Sequence, residues 1–126
     1  MCGIAGFVEI TSTHNGDARA LLSRMIGAVH HRGPDAEGFW REENAGLAHA
    51  RLSIIDLEGG LQPMTNEDGS LWITFNGEIF NYVELRKSLL ACGHRFATDS
   101  DTEVILHLYE EYGEDCVQHL NGQWAF

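Results

Sequence analysis

Basic residues are scarce in this sequence: eight Lys and Arg stand against 19 Asp and Glu, a formal net charge of -11. Without a run of cations there is no surface to neutralise a phosphate backbone, which excludes nucleic acid as an expected partner. The acidity reads as a solvated surface, compatible with a buried cationic pocket that takes a zwitterion. No apolar run approaches the roughly 18 to 20 residues that span a bilayer, and the first residues lack the basic-then-apolar layout of a secretory leader. Both absences point to the cytoplasm. Cysteine is limited to three residues, an odd number without close spacing, which argues against a disulfide framework or a zinc knuckle and fits a reducing compartment. None of the seven histidines stands in a ligand spacing such as His-Glu-x-x-His, so no metal is expected.

What remains is the make-up of one folded domain, residues 1–126, with 44% hydrophobic content and no internal repeat, low-complexity tract or linker. The run Ile4 to Ile10, with Gly3 before it and Gly6 within it, reads as a buried strand. After a polar turn from Thr11 to Gly16, Asp17 can cap a helix bearing Leu21, Leu22, Met25, Ile26 and Val29, which should end near His30 because Gly33-Pro34 follows. Strands are expected at Glu37 to Arg41, Leu47 to Ile55 and Leu71 to Phe75, separated by turns containing Gly59-Gly60 and Asp68-Gly69, the latter a hairpin turn. Asn81 with Glu84 looks like a cap opening a helix over Tyr82 to Cys92 that Gly93 closes. Ser100 with Glu103 repeats the arrangement, ahead of a helix with Val104, Ile105, Leu108, Tyr109 and Tyr112 on one face and Gly113 at its end. Gln123 to Phe126 look like the start of another strand. Mixed groups of strands and helices, without regular alternation, favour an α+β fold around one core.

Position 2 carries the most chemical interest. A small residue such as Cys after an initiator Met generally permits removal of that Met, which would leave Cys2 with a free α-amino group. A thiol titrates near ~8.5 and an α-amine near ~7.7 to 8.0, so one residue can supply both a nucleophile and a base matched to neutral pH. The plainer alternative is a small buried hydrophobe, and that is the reading for Cys92 and Cys116, which sit in helical segments beside apolar residues. A strand directly after Gly3 would hold the terminus inside the fold rather than let it fray.

Five segments, in order along the chain, carry a family likeness: Met1-Cys2-Gly3-Ile4-Ala5-Gly6, His31-Arg32-Gly33-Pro34-Asp35, Arg51-Leu52-Ser53-Ile54-Ile55-Asp56, Asn76-Gly77-Glu78-Ile79-Phe80-Asn81 and Ser100-Asp101-Thr102-Glu103. Together they resemble the glutaminase domain of asparagine synthetases, members of the class II glutamine amidotransferases. The resemblance implies an N-terminal-nucleophile hydrolase fold, a four-layer αββα sandwich, here C-terminally incomplete because such domains run well past Phe126. It implies hydrolysis of glutamine through a thioester on Cys2, with ammonia passing to a synthetase domain of the same polypeptide that is absent here. ATP and Mg are expected only in that missing domain, and a homodimer is left open.

Site roles follow from the same likeness, each with a chemical reason. Thiolate attack places charge on the amide oxygen, and the Asn76 side chain with the Gly77 N–H would form the oxyanion hole, whose donors are worth several kcal/mol (~2.7 to 4) each. Free glutamine must also have both its charges paired. Arg51 suits the α-carboxylate because its planar fork can hold it bidentately. Asp101, and beside it Glu78, suit the α-ammonium, with Leu52 and Ile54 lining the pocket. Taken singly these residues have structural readings too: Asn76-Gly77 as a plain turn, Arg51 paired with a surface acid, Asp101 as a residue that favours a helix N-terminus. The segment His31 to Asp35 reads as a structured loop that rigidifies the pocket, without a catalytic role for His31 or Arg32. Phe80 stands where such domains commonly carry Tyr, and Gln123 and Trp124 replace Met and Phe, changes read as packing. Two alternatives stay open: an amidotransferase with a different ammonia acceptor, and a non-catalytic domain that only packs against a partner.

Overall fold

The computed structural model describes residues 2–10, 17–52 and 60–126. Its elements are mixed in order, as an α+β fold requires: β1 (Gly3–Val8), α1 (Ala18–Val29), a short 3-10 turn (His30–Arg32), β2 (Ala36–Arg41), β3 (Ala45–Arg51), β4 (Met64–Thr65), β5 (Trp72–Ile73), β6 (Asn76–Ile79), α2 (Tyr82–Cys92), α3 (Asp101–Tyr112), a second 3-10 segment (Gly113–His119) and β7 (Gly122–Ala125). Among the described residues three antiparallel sheets form, ordered β1-β3-β2, β4-β5 and β6-β7. None of the described helices is long and apolar enough to cross a membrane.

In the first sheet β3 is central. Gly3 faces Ala50 on one side, and Arg51 faces Ala36 on the other, so the start of β1 and the end of β3 lie together. Helix α1 covers this sheet. Asp17 accepts hydrogen bonds from the N–H groups of Arg19 and Ala20 and so satisfies two of the donors that every helix N-terminus exposes. Leu22 and Ile26, one helical turn apart, are then buried against Ala48 and Ala50. The strand from Ile4 ends sooner than its composition suggests: Val8 is 76% exposed and Ile10 96%, because β1 alternates its faces instead of being buried on both. The expected third strand stops at Arg51, while Ser53 to Asp56, Gly59 and the turn from Thr11 to Gly16 lie outside the described residues.

The second half packs around α3, whose residues Asp101 to Leu108 are all buried. One cluster gathers Phe75, Ile79 and Ile105, and a second gathers Leu89, Val104, Leu108 and Cys116; Tyr82, Leu85 and Leu120 border both. Among the described residues the buried apolar side chains thus group into three clusters, two of them joined through Tyr82, Leu85 and Leu120. Tyr109 and Tyr112, expected on the buried face of α3, are 43% and 48% exposed, since they lie beyond the part that the sheets and α2 cover. Cys116 is buried as expected, but Cys92 is exposed on the open side of α2.

Turns and caps decide the connections. Asp68-Gly69 forms the expected hairpin between β4 and β5, with Gly69 at φ 75° and the Asp68 carboxylate accepting from Ser70 N–H. Gly93 closes α2 in the left-handed region, its N–H reaching the carbonyls of Leu89 and Leu90. Ser100 caps α3 by accepting from Thr102 N–H. Neither reciprocal capping arrangement forms. Asn81 turns away from its helix to accept from Asn121 N–H and donate to the His119 carbonyl. Glu103 instead takes the N–H groups of Ala97 and Thr98 with the Thr98 hydroxyl, tying down the strap that leads into α3.

Candidate active site

One cavity of about 320 Å³ gathers Cys2, Arg51, Leu52, Asn76, Gly77, Glu78 and Asp101 among its walls. Seven of the eight residues singled out from the sequence thus meet in one place; Ile54, the eighth, lies outside the described residues. The volume is at the small end of the roughly 300–1,000 Å³ usual for small-molecule sites, a size suited to a free amino acid.

The thiol sits against a single peptide unit. Leu52 N–H points at Cys2 Sγ from 3.4 Å, and the thiol faces the Leu52 carbonyl at 3.6 Å. Both contacts follow from the sheet register, which brings the start of β1 beside the end of β3. Arg32 fixes the other side by donating from Nε to the Cys2 carbonyl at 3.1 Å. Its loop is seated closely on β3: Asp35 N–H donates to the Arg51 carbonyl at 2.9 Å, and any side chain at Gly33 would overlap the backbone of Ala50 and Arg51. The expected structured loop is therefore found, and its Arg32 reaches the backbone of Cys2 itself.

Asn76 and Gly77 do not make a turn. They open β6 and pair with Ala125 and Trp124 of β7. In an antiparallel ladder only every second residue bonds its partner strand. Phe80 N–H reaches the Asn121 carbonyl at 2.7 Å, which fixes the phase: the even residues of β6 face β7, and Gly77 and Ile79 turn their N–H groups away. Ile79 N–H confirms this by donating to Asp101 Oδ2 at 2.9 Å on the cavity side. Gly77 N–H points to the same edge, and Asn76 Oδ1 is buried there with no hydrogen-bond partner among the described residues. Glycine at 77 is required sterically, because a side chain would run into the Gln123 carbonyl and Trp124.

Charge is divided across the cavity. Arg51 is buried, at 6% exposure, at the end of β3. Asp101 is equally buried, at 5% exposure, in the first turn of α3. Burial raises the Asp101 carboxyl above its ordinary range, against the backbone N–H bonds that favour its ionised form, and the nearby Glu78 carboxylate adds to the rise. Binding a cation would relieve both.

Three wall residues carry signals that short motifs did not reveal. Gln62 spans the cavity, donating to Thr102 Oγ1 at 3.2 Å and accepting from Phe75 N–H at 2.6 Å. His49 lies two residues before Arg51, on the same face of β3. The Thr74 hydroxyl donates its proton to the Ala48 carbonyl, so His49 Nδ1 is the donor to Thr74 Oγ1 at 3.2 Å, which leaves a bare Nε2. Burial first, and then the Arg51 charge, lower the His49 pKa to about 4, so its ring is neutral at pH 7. Gln123, read from sequence as packing alone, lines the cavity from β7. Trp124 beside it is exposed, its ring tilted against that of Phe126 at a centroid distance of 5.3 Å.

Comparison with known proteins agrees with this arrangement. The family model of a glutamine amidotransferase domain matches residues 1–126. Asparagine synthetase [glutamine-hydrolyzing] 1 of Bacillus subtilis (strain 168) is 46% identical over 127 residues, covering 100% of this chain and 20% of that protein. The asparagine synthetase [glutamine-hydrolyzing] of Zea mays is 45% identical over 129 residues, covering 100% of this chain and 21% of the relative. A probable asparagine synthetase [glutamine-hydrolyzing] of Dictyostelium discoideum is 45% identical over 130 residues, covering 100% and 23%. The chain thus spans about a fifth of the length of these relatives.

Proposed function

Since the chain belongs to the family of glutamine amidotransferase domains, we propose that it hydrolyses glutamine to glutamate and ammonia through a thioester on Cys2. The scaffold on this reading is an N-terminal-nucleophile hydrolase whose complete form is a four-layer αββα sandwich. The observation that carries the proposal is the Cys2 thiol in a cavity walled by the Arg51 guanidinium, the Asn76 amide and the Asp101 carboxylate.

Removal of Met1 turns the Cys2 nitrogen into an α-amine, which takes the thiol proton. The thiolate, steadied by Leu52 N–H, attacks the side-chain amide carbon of glutamine. Charge moves to the amide oxygen, where the outward-turned Gly77 N–H and the Asn76 amide receive it. The tetrahedral species collapses as the carbon–nitrogen bond breaks, and the α-ammonium returns its proton to the departing ammonia. A water then attacks the γ-glutamyl thioester as the α-amine takes its proton; the carbon–sulfur bond breaks, the α-ammonium returns that proton to the departing thiolate, and glutamate is released. Arg51 holds the α-carboxylate and Asp101, with Glu78, the α-ammonium, while Leu52 and Ile54 line the pocket. Arg32 is a positioning residue that holds the Cys2 carbonyl.

The ammonia acceptor is proposed from what the relatives are, asparagine synthetases: a synthetase domain of the same polypeptide, which would use ATP and Mg to convert aspartate to asparagine. This domain needs neither for its own step. A cytoplasmic setting and a homodimer go with the reading. The test is Cys2→Ala, which should abolish ammonia release while leaving glutamine binding in place, combined with intact-mass measurement showing the loss of Met1. Undiminished ammonia release from the variant, or a retained Met1 in active protein, would remove the mechanism.

A further inference from the structure

At the far end of α3 from Asp101, four side chains from three separate segments converge: Glu67 in the β4–β5 turn, His94 just after α2, and His107 and Glu110 on α3. One donor atom of each lies within 4.8 Å of every other. Glu110 Oε2 stands 2.8 Å from His107 Nδ1 and 3.4 Å from His94 Nδ1, and Glu67 Oε2 is 3.7 Å from His107 Nδ1. Neighbouring ligands on a tetrahedral ion, at bonds of ~2.0 to 2.2 Å, are about 3.4 Å apart, so these separations bracket that value.

Both imidazoles turn Nδ1 inward. His94 Nε2 meets Glu111 Oε1 at 2.8 Å, whereas His107 Nε2 is buried without a hydrogen-bond partner among the described residues, the Glu103 Oε1 carboxylate oxygen lying 3.7 Å away. A metal-bound histidine characteristically gives its outer N–H to such an acceptor, which fixes the tautomer and the ring. Both carboxylate ligands are oriented as well. Asn66 Nδ2 donates to Glu110 Oε1 at 2.8 Å, and Arg95 N–H to Glu67 Oε1 at 3.1 Å, so each acid keeps Oε2 for the centre. The two Nδ1 atoms and the Glu67 and Glu110 Oε2 atoms thus face a common centre, where a cation would take the place of the proton that otherwise joins His107 Nδ1 to Glu110 Oε2. Four carboxylates, Glu67, Glu103, Glu110 and Glu111, surround the two rings.

We propose that Glu67, His94, His107 and Glu110 form a binding site for a first-row divalent metal ion, zinc above all. Two imidazole nitrogens with two carboxylate oxygens suit such an ion better than magnesium or calcium, which take oxygen ligands. Glu67 and Glu110 are partly exposed and His107 is fully buried, so the ion enters from the surface and seats against the core. All four donors are side chains of structural segments with no open acceptor for chemistry among them; the ion would tie the β4–β5 turn and the end of α2 to α3. The spacing is invisible to short-motif reading because the donors are spread over residues 67 to 110, and the proposal departs from the expectation, drawn from the histidine spacing, of no metal.

The experiment is zinc uptake by the intact, chelator-stripped protein, titrated against a competing chromophoric chelator. The wild type should bind one equivalent more than His94→Ala, a difference that cancels any zinc taken by Cys2. Glu111→Gln keeps all four ligands and should still weaken binding roughly 10- to 100-fold. His107 is left unmutated because its removal opens the core; should His94→Ala fail to fold by circular dichroism, Glu67→Gln, at a partly exposed position, replaces it with the same expected loss. Equal zinc uptake by the wild type and a folded ligand variant, or no tight uptake by the wild type, overturns the proposal and leaves a hydrogen-bonded histidine and glutamate network.

Discussion

Replacing Arg51 by alanine separates recognition of glutamine from the chemistry done on it. The guanidinium is buried and shares the cavity with the carboxylates of Glu78 and Asp101, so its loss would strand the α-carboxylate of bound glutamine without a partner. Truncating one member of a buried charge pair costs about 2–5 kcal/mol. The cavity mouth admits water, which favours the lower half of that range, a rise in KM of roughly 30- to 400-fold with kcat within a few-fold of wild type. A second readout comes from the same change. The Arg51 charge is one of two causes holding His49 near pKa 4, so Arg51→Ala should move His49 upward toward 6.5 in an imidazole NMR titration. Arg51→Lys should restore most of that depression but not the affinity, because a point charge replaces the fork. The assay is ammonia release over a wide range of glutamine concentrations. An unchanged KM, or a fall in kcat with KM constant, would refute the assignment of Arg51 to the substrate carboxylate.

Two pH effects should accompany it. The folded-state pKa of His49 is depressed from 6.5 to about 4, so the unfolded chain takes up the proton first; stability is undiminished above pH 6.5 and falls between 6.5 and 4, by about 3 kcal/mol in all. Denaturant unfolding at several pH values should show that loss in the wild type and a flatter profile in His49→Gln; parallel profiles would contradict it. Asp101 is shifted the other way, so its carboxyl becomes protonated at a higher pH than an exposed aspartate would. Glutamine binding to the Cys2→Ala variant, followed by calorimetry, should therefore weaken as pH falls through that raised pKa, and Asp101→Asn should bind weakly at every pH. An affinity of the Cys2→Ala variant that stays constant down to the ordinary aspartate range would count against the ammonium contact.

The features legible in the sequence were those with local causes. Asp17 announced the start of α1, Gly93 and Gly113 the ends of α2 and α3, and Asp68-Gly69 the hairpin, because each acts on residues within a few positions of itself. The cavity residues were legible for another reason: they stand in short segments that resemble one family, and that resemblance carried their proposed roles over position by position. Interactions spanning tens of residues stayed hidden. Asn81 looked like a cap but spends its amide on Asn121 and His119, and Gln62 meets Thr102 and Phe75 across the cavity. Tyr109 and Tyr112 keep the helical period of the buried face yet project past the layers that would cover them. Periodicity tells which face is apolar but not how far the neighbouring element extends.

The contact between Cys2 and Leu52 joins positions fifty residues apart, and the cavity takes its remaining walls from still later segments, as far as Gln123. On a ribosome these parts emerge in that order, at about 5–20 residues per second. Cys2 is thus made first and enclosed last, and on the proposed mechanism the several seconds in which the rest of the cavity is still being translated are when its terminus would be open to removal of Met1. On that mechanism, processing of the terminus would precede closure of the cavity simply because the chain is read from that end.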